Sequence, residues 1–160
     1  MRLLLVIDID GTLADLSRRS KRAGNMPPRE KRHLFQMWLD RLQTTAHLLA
    51  DRPIAQTVFL ARVLAKTPGV TALYLTGRSE KYRAATALWL RRVNAPPLPL
   101  TMRKNDDWRS AKGYKREEMK RLMKKHRVKG DEVLVIDDDA DGDCSLMYSR
   151  LGVLHLKVMP

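Results

Sequence analysis

The 160-residue sequence predicts an α/β protein: a doubly wound, mostly parallel five-stranded sheet with helices on both faces. The first observation is that strand-like apolar runs alternate with stretches of helical spacing. The second is that the strands are nearly continuous in branched apolar residues, as in sheets covered on both sides. The third is that several strands run straight into polar or acidic residues at their carboxyl ends, where open parallel sheets bind ligands.

The elements follow in order. Residues 2–9, RLLLVIDI, read as a buried strand stopped by Asp10-Gly11. Residues 14–28 are basic and carry Gly24, Asn25, Pro27 and Pro28, which predicts a loop. Leu34, Met37, Trp38, Leu42, Ala46 and Leu49 recur at helical spacing and predict a helix over 29–50. Pro53 suits the first position of a helix over 53–67, which stops before Pro68-Gly69. VTALYLTGR (70–78) reads as a second strand with a polar exit, and Ser79 is placed to cap a helix over 79–93. PLPLTMR (97–103) reads as a short strand, assigned to an edge by its prolines. A polar loop over 104–113 leads into a strongly basic helix over 114–127. DEVLVIDDD (131–139) is a third buried strand, followed by a short helix (143–150) and a last strand, GVLHLKV (152–158). The length suits a single domain over 1–160.

Composition narrows the partners. Lys and Arg number 31 against 18 Asp and Glu, a formal net charge of +13. That surplus points to a polyanion, either nucleic acid or a membrane surface. One cysteine, Cys144, excludes an internal disulfide and a cysteine-rich zinc site. The histidines lack ligand spacing, no run reaches the roughly 18 apolar residues of a membrane span, and the opening apolar run is too short for a signal peptide. A reduced, cytoplasmic setting with no membrane is the expectation.

Chemistry concentrates at three strand ends: Asp8-Ile9-Asp10-Gly11-Thr12, Thr76-Gly77-Arg78 and Asp137-Asp138-Asp139. Two acid clusters brought together by neighbouring strands repel unless a cation joins them, and a hard divalent ion with oxygen ligands fits. Single aspartates at strand ends commonly serve as turn formers, but that explanation does not cover all three clusters at once. Asp137-x-Asp139-x-Asp141-Gly142 matches the start of a calcium loop, yet Tyr148 stands where its closing Glu belongs and a strand precedes it.

DIDGTLAD, LYLTGR, a lysine upstream and VLVIDDD together resemble, in order and spacing, the four motifs of the haloacid dehalogenase superfamily of phosphotransferases. The resemblance implies a three-layer, Rossmann-like fold with 17–50 as a small helical insert at the position of the cap, and a phosphatase dependent on Mg2+. Asp8 would be the nucleophile and Asp10 the general acid and base, its backbone carbonyl also on the metal. Thr76 would bond a phosphoryl oxygen, and Lys115, or its neighbour Lys112, would neutralise charge. Asp8, Asp10, Asp137 and Asp138 would surround the metal. Gly11 would let the backbone approach the phosphate, beside Thr12 and Gly77.

LTGRSEKYRAATALWL and PLTMRKNDDWRSAKGYKREEM further resemble the 3′-phosphatase domain of phage polynucleotide kinase–phosphatases, weakly over 17–69. That implies roles for Arg78 and for Arg18 or Arg19, with Ala111 standing where those proteins carry an acidic residue. The implied substrate is a 3′-phosphorylated nucleic-acid end, DNA or RNA. The basic segments fit it: residues 101–130 hold twelve Lys or Arg against four acids, and 17–32 hold seven against one. No GxxxxGK[ST] loop occurs, so the kinase half of those bifunctional enzymes is missing, and whether a separate kinase or ligase is a partner stays open. The alternatives are a phosphatase acting on small substrates such as nucleoside monophosphates, and an inactive nucleic-acid-binding module. Phe35, Trp38 and Trp89 fall on apolar periodicity and are expected in the core, while Trp108 lies in a polar loop.

Overall fold

Alternation along the first strand sets the layers. In β1 (Leu3–Ile7), Leu4 and Val6 point to one face and Leu5 and Ile7 to the other, and all four are buried. The computed structural model describes residues 2–28, 31–139 and 142–159, the side chain of Asp143 excepted. β1 lies at the centre of a five-stranded sheet with β4 (Val70–Ser79) and β5 (Leu100–Arg103) on one side. On the other side lie β6 (Val133–Asp137) and β7 (Leu154–Lys157). All four pairings are parallel, and β5 is an edge strand, as its prolines predict.

The first face packs against α6 (Ala111–His126) and α7 (Asp143–Arg150), through Tyr114, Met119, Leu122, Met147 and Tyr148. The second packs against α4 (Ala55–Ala65) and α5 (Arg83–Arg92), through Val58, Ala61, Trp89 and Leu90. From β1 the chain moves out to β4 and β5, then returns to β6 and β7 on the far side. The topological switch therefore lies between the carboxyl ends of β1 and β6, where a crevice opens.

Between β1 and α4 the chain forms a short antiparallel pair, β2 (Ala14–Asp15) with β3 (Arg52–Pro53). That pair is the stem of three helices: α1 (Ser17–Ala23), α2 (Arg32–Leu42) and α3 (Thr45–Ala50). The structure corrects several expectations here. The segment read as a loop contains α1, a polar helix fixed through buried Arg19 and Ala23 and ended at Gly24. The single helix expected over 29–50 breaks at Gln43-Thr44, because the Thr44 side chain accepts from the His47 amide and starts α3. Pro53 belongs to β3, an edge position that needs no donor, and α4 begins two residues later. Ser79 ends β4 instead of capping a helix; a 3₁₀ turn, Glu80–Tyr82, precedes α5. On α2 only Leu42 is buried, while Leu34 and Met37 are exposed, so its apolar stripe faces open grooves rather than the core. No helix among the described residues is long and apolar enough to cross a membrane.

Candidate active site

Asp8 follows β1 directly and its amide still donates to the Ile136 carbonyl, 2.9 Å, so the ladder holds it beside the end of β6. The carboxylate is buried. Lys115, one turn into α6, reaches between the strands: its Nζ lies 3.1 Å from Asp8 Oδ2 and 2.6 Å from Asp137 Oδ2. Tyr148 Oη donates to the same Asp137 oxygen, 2.7 Å, and the Asp139 amide to the other, 2.9 Å. Of the two candidate lysines, Lys115 is the one that contacts both Asp8 and Asp137; Lys112 lies half-buried three residues earlier.

One carboxylate oxygen each from Asp8, Asp137 and Asp138 lies within 4.8 Å of the others. Burial pushes Asp8 up to about 8, against the pull of Lys115, and burial with the neighbouring Asp137 pushes Asp138 up to about 6. Burial also acts to raise Asp137, but Lys115 and its hydrogen bonds hold it below the usual range. Asp8 Oδ1 is buried without a hydrogen-bond partner. An orphaned carboxylate oxygen inside a trio of crowded acids fits a hard divalent cation, with Asp8, Asp137 and Asp138 as its side-chain ligands. The third acid of the run, Asp139, faces elsewhere. It adopts φ 46° and accepts from the Cys144 and Ser145 amides at the start of α7.

The Asp10 side chain stands outside that trio, which leaves its backbone carbonyl as the atom expected on the metal. Its Oδ1 accepts from Arg78 Nε (2.9 Å), Arg78 Nη2 (2.6 Å) and Arg19 Nη2. Burial raises its pKa, but the two guanidiniums outweigh that and bring it down to about 2. Both arginines also bind Asp51, Arg19 through Nε at 3.0 Å and Arg78 through Nη2 at 3.0 Å. Trp89 stays in the core, as expected, donates to the Asp51 carbonyl (2.9 Å) and lies 5.6 Å under Arg78. Arg78 turns inward because Gly77 and Arg78 bulge out of the β4–β5 ladder between the pairs Thr76↔Met102 and Ser79↔Arg103. Thr76 is fully buried and its Oγ1 accepts from the Arg78 amide, 3.2 Å. Of the two candidates in α1, Arg19 enters the site and Arg18 is exposed, since one helical residue turns the side chain by about 100°.

Gly11 has φ +76°, and a Cβ there would stand 1.9 Å from Asp138 Oδ2. Thr12 Oγ1 is buried without a partner. Above these groups opens a cavity of about 330 Å³. Its floor holds Asp8, Asp10, Lys115 and Asp138, and Gly77 also borders it. Phe35 and Trp38 of α2 line its wall, half-buried, which corrects their placement in the core. Asp40 of α2 binds Lys81 (2.5 Å), and Gln43 Oε1 accepts from the Ser79 amide (3.1 Å), so the inserted helices are tied across the site. Asp51, Gln43 and Tyr148 are site residues that motif spacing does not reveal. Each acts through a contact between distant parts of the chain.

Compared with solved structures, the chain has a haloacid dehalogenase-like fold. It superposes on a chain of the Pnkp1/Rnl/Hen1 complex with a TM-score of 0.69 and 21% identity, covering 99% of this chain and 46% of that one. A chain of the Pnkp1/Rnl/Hen1 RNA repair complex gives 0.66 and 20%, with 98% and 42% covered. This chain therefore spans less than half the length of either. A haloacid dehalogenase-family enzyme from Bacteroides thetaiotaomicron, solved with magnesium and inorganic phosphate, gives 0.63 and 14%, with 99% and 95% covered. No protein-family model and no curated protein matches the sequence.

Proposed function

We propose that this chain is a magnesium-dependent phosphatase that removes 3′-phosphates from nucleic-acid ends through a phosphoryl group carried on Asp8. The observation that carries the reading is Asp8 itself: Lys115 engages Oδ2, and the buried Oδ1 is left without a partner beside Asp137 and Asp138. Bound among the three carboxylates, magnesium supplies the positive charge that lets an anionic nucleophile meet an anionic ester.

One carboxylate oxygen of Asp8 attacks phosphorus and the bond from phosphorus to the 3′-oxygen breaks; a water then attacks phosphorus, the bond from phosphorus to Asp8 breaks, and the carboxylate is restored. Lys115 orients Asp8 and offsets charge on the transferring group. Thr76 and the unpartnered hydroxyl of Thr12 offer hydrogen bonds to phosphoryl oxygens. Asp10, held ionised by two arginines, carries no proton to give at neutral pH. An entering phosphate competes for Arg19 and Arg78; as they turn to it, the Asp10 pKa rises, the carboxylate takes up a proton from solvent and gives it to the leaving oxygen, and the ionised carboxylate then accepts a proton from the attacking water.

The likeness to chains of an RNA repair complex supports the substrate, as does the net charge of +13. The size of the cavity favours a second reading, hydrolysis of free nucleoside monophosphates. Phosphate release is to be measured from a 3′-phosphorylated oligonucleotide, mononucleotides and sugar phosphates, with magnesium and with chelator. Release fastest from the oligonucleotide, lost with chelator and in Asp8→Asn, is the expected result. Release that persists in Asp8→Asn removes the mechanism. No release from any ester, with the oligonucleotide still bound, makes the chain an inactive binding module.

A further inference from the structure

We propose that Trp38 and Trp108 form a stacking surface for one unpaired nucleobase, so that the phosphatase takes a single-stranded 3′ end with its last base inside the cavity. The inference rests on the phosphatase reading and specifies which kind of end the site receives.

The cavity joins two chemistries. Asp8, Lys115 and Asp138 stand at the floor, while Phe35, Trp38 and Trp108 line the wall. Those aromatic residues are not core side chains that happen to reach the surface. Trp38 is fixed by donating Nε1 to the Gly24 carbonyl (3.0 Å) and by stacking on Phe35, with centroids 5.9 Å apart and planes 28° apart. Trp108 keeps 48% of its surface exposed, on a loop that is nonetheless well anchored. Arg109 binds Asp107 through Nε (2.9 Å) and Nη2 (2.5 Å), and Arg103 donates to the Arg109 carbonyl (2.7 Å). A large apolar ring open to water, next to a phosphate-handling centre, is the arrangement that base stacking uses. Preorganised rings also lose little entropy on binding.

Size selects the base. About 330 Å³ lies at the lower end of the range for small-molecule pockets, enough for one nucleotide and too little for a base pair. A terminal pair must therefore open before its phosphate reaches Asp8. A sugar phosphate has no flat face to offer either tryptophan, so the surface separates nucleic-acid ends from such metabolites.

The test uses two oligonucleotides with a 3′-phosphate, one with a normal terminal base and one whose terminal nucleotide lacks its base. Wild type, Trp108→Ala, Trp108→Phe and Trp38→Phe are compared on each by kcat/KM. Wild type is expected to favour the base-bearing end by about 5- to 150-fold, the span of one base–aromatic stack. Trp108→Ala is expected to erase much of that preference, with the loss in KM, and Trp108→Phe to keep most of it. Equal rates of wild type on the two ends, or equal losses in Trp108→Ala on both, overturn the inference while leaving the phosphatase standing. Should no end be hydrolysed, quenching of tryptophan fluorescence by a nucleoside 3′-monophosphate, but not by ribose 3-phosphate, still reports the stack; equal quenching by the two, or none, refutes it.

Discussion

Gly11 sits where a side chain has no room. Its φ of +76° already disfavours any L-residue, and a Cβ would meet the Asp138 carboxylate at 1.9 Å. Gly11→Ala should therefore push Asp138 away from Asp8 and Asp137. Magnesium affinity, measured by calorimetry, should fall about 10-fold or more. An unchanged affinity would mean that Asp138 is no ligand. This residue, with Asp8, Thr76, Arg78, Asp137 and Asp138, is legible in the sequence for a simple reason. A buried strand of a parallel sheet points its last residues at the crevice, and a run of branched apolar residues announces the strand. Arg19 and Lys115 were legible only as one of two neighbours. Choosing between Arg18 and Arg19 needs the phase of a helix, and α1 has no apolar periodicity to set it. Asp51 left no trace, because a buried ion pair between residues 32 and 27 positions apart has no local spacing.

At the level of elements, Asp51 ties the inserted helices to the sheet. It ends α3, and its carboxylate joins Arg19 of α1 to Arg78 of β4. Both guanidiniums are almost wholly buried, so removing this partner leaves two interior cations sharing the single carboxylate of Asp10. Asp51→Ala should cost about 3 kcal/mol, a fall in Tm on the order of 10 °C for a domain of this length. Asp51→Asn, which keeps an acceptor, should cost less. A shift below about 2 °C in Asp51→Ala would show that the network does not brace the insert. The order of strands and helices in the sheet was readable because each has its own period. The insert escapes the sequence pattern because its elements are short and end on side-chain contacts: Thr44 on the His47 amide, and a two-residue strand at a proline that equally suits the start of a helix.

For the whole molecule, the question is what a charge of +13 does. Part of it is accounted for locally. On α6, Glu117 takes up Arg116 and Lys120, and Glu118 takes up Arg121. Lys124 and Lys125 lie in the last turn, where cations suit the helix dipole. They also stand about 14 Å along the axis from Lys115, too far to touch the scissile phosphate. A charge that cannot reach the reacting group can still hold the strand that bears it. If three phosphates beyond the one at the site are contacted, kcat/KM on a 3′-phosphorylated oligonucleotide should fall about 50-fold between 50 and 200 mM salt, following a slope of about −0.7 for each of the four contacts. A mononucleotide, with a single phosphate already at the site, should lose less than about 3-fold over the same range. The difference between the two slopes counts the phosphates engaged beyond the cavity. Parallel slopes would confine recognition to the one nucleotide that the cavity holds, and the basic faces of the protein would then serve its solubility and not its substrate.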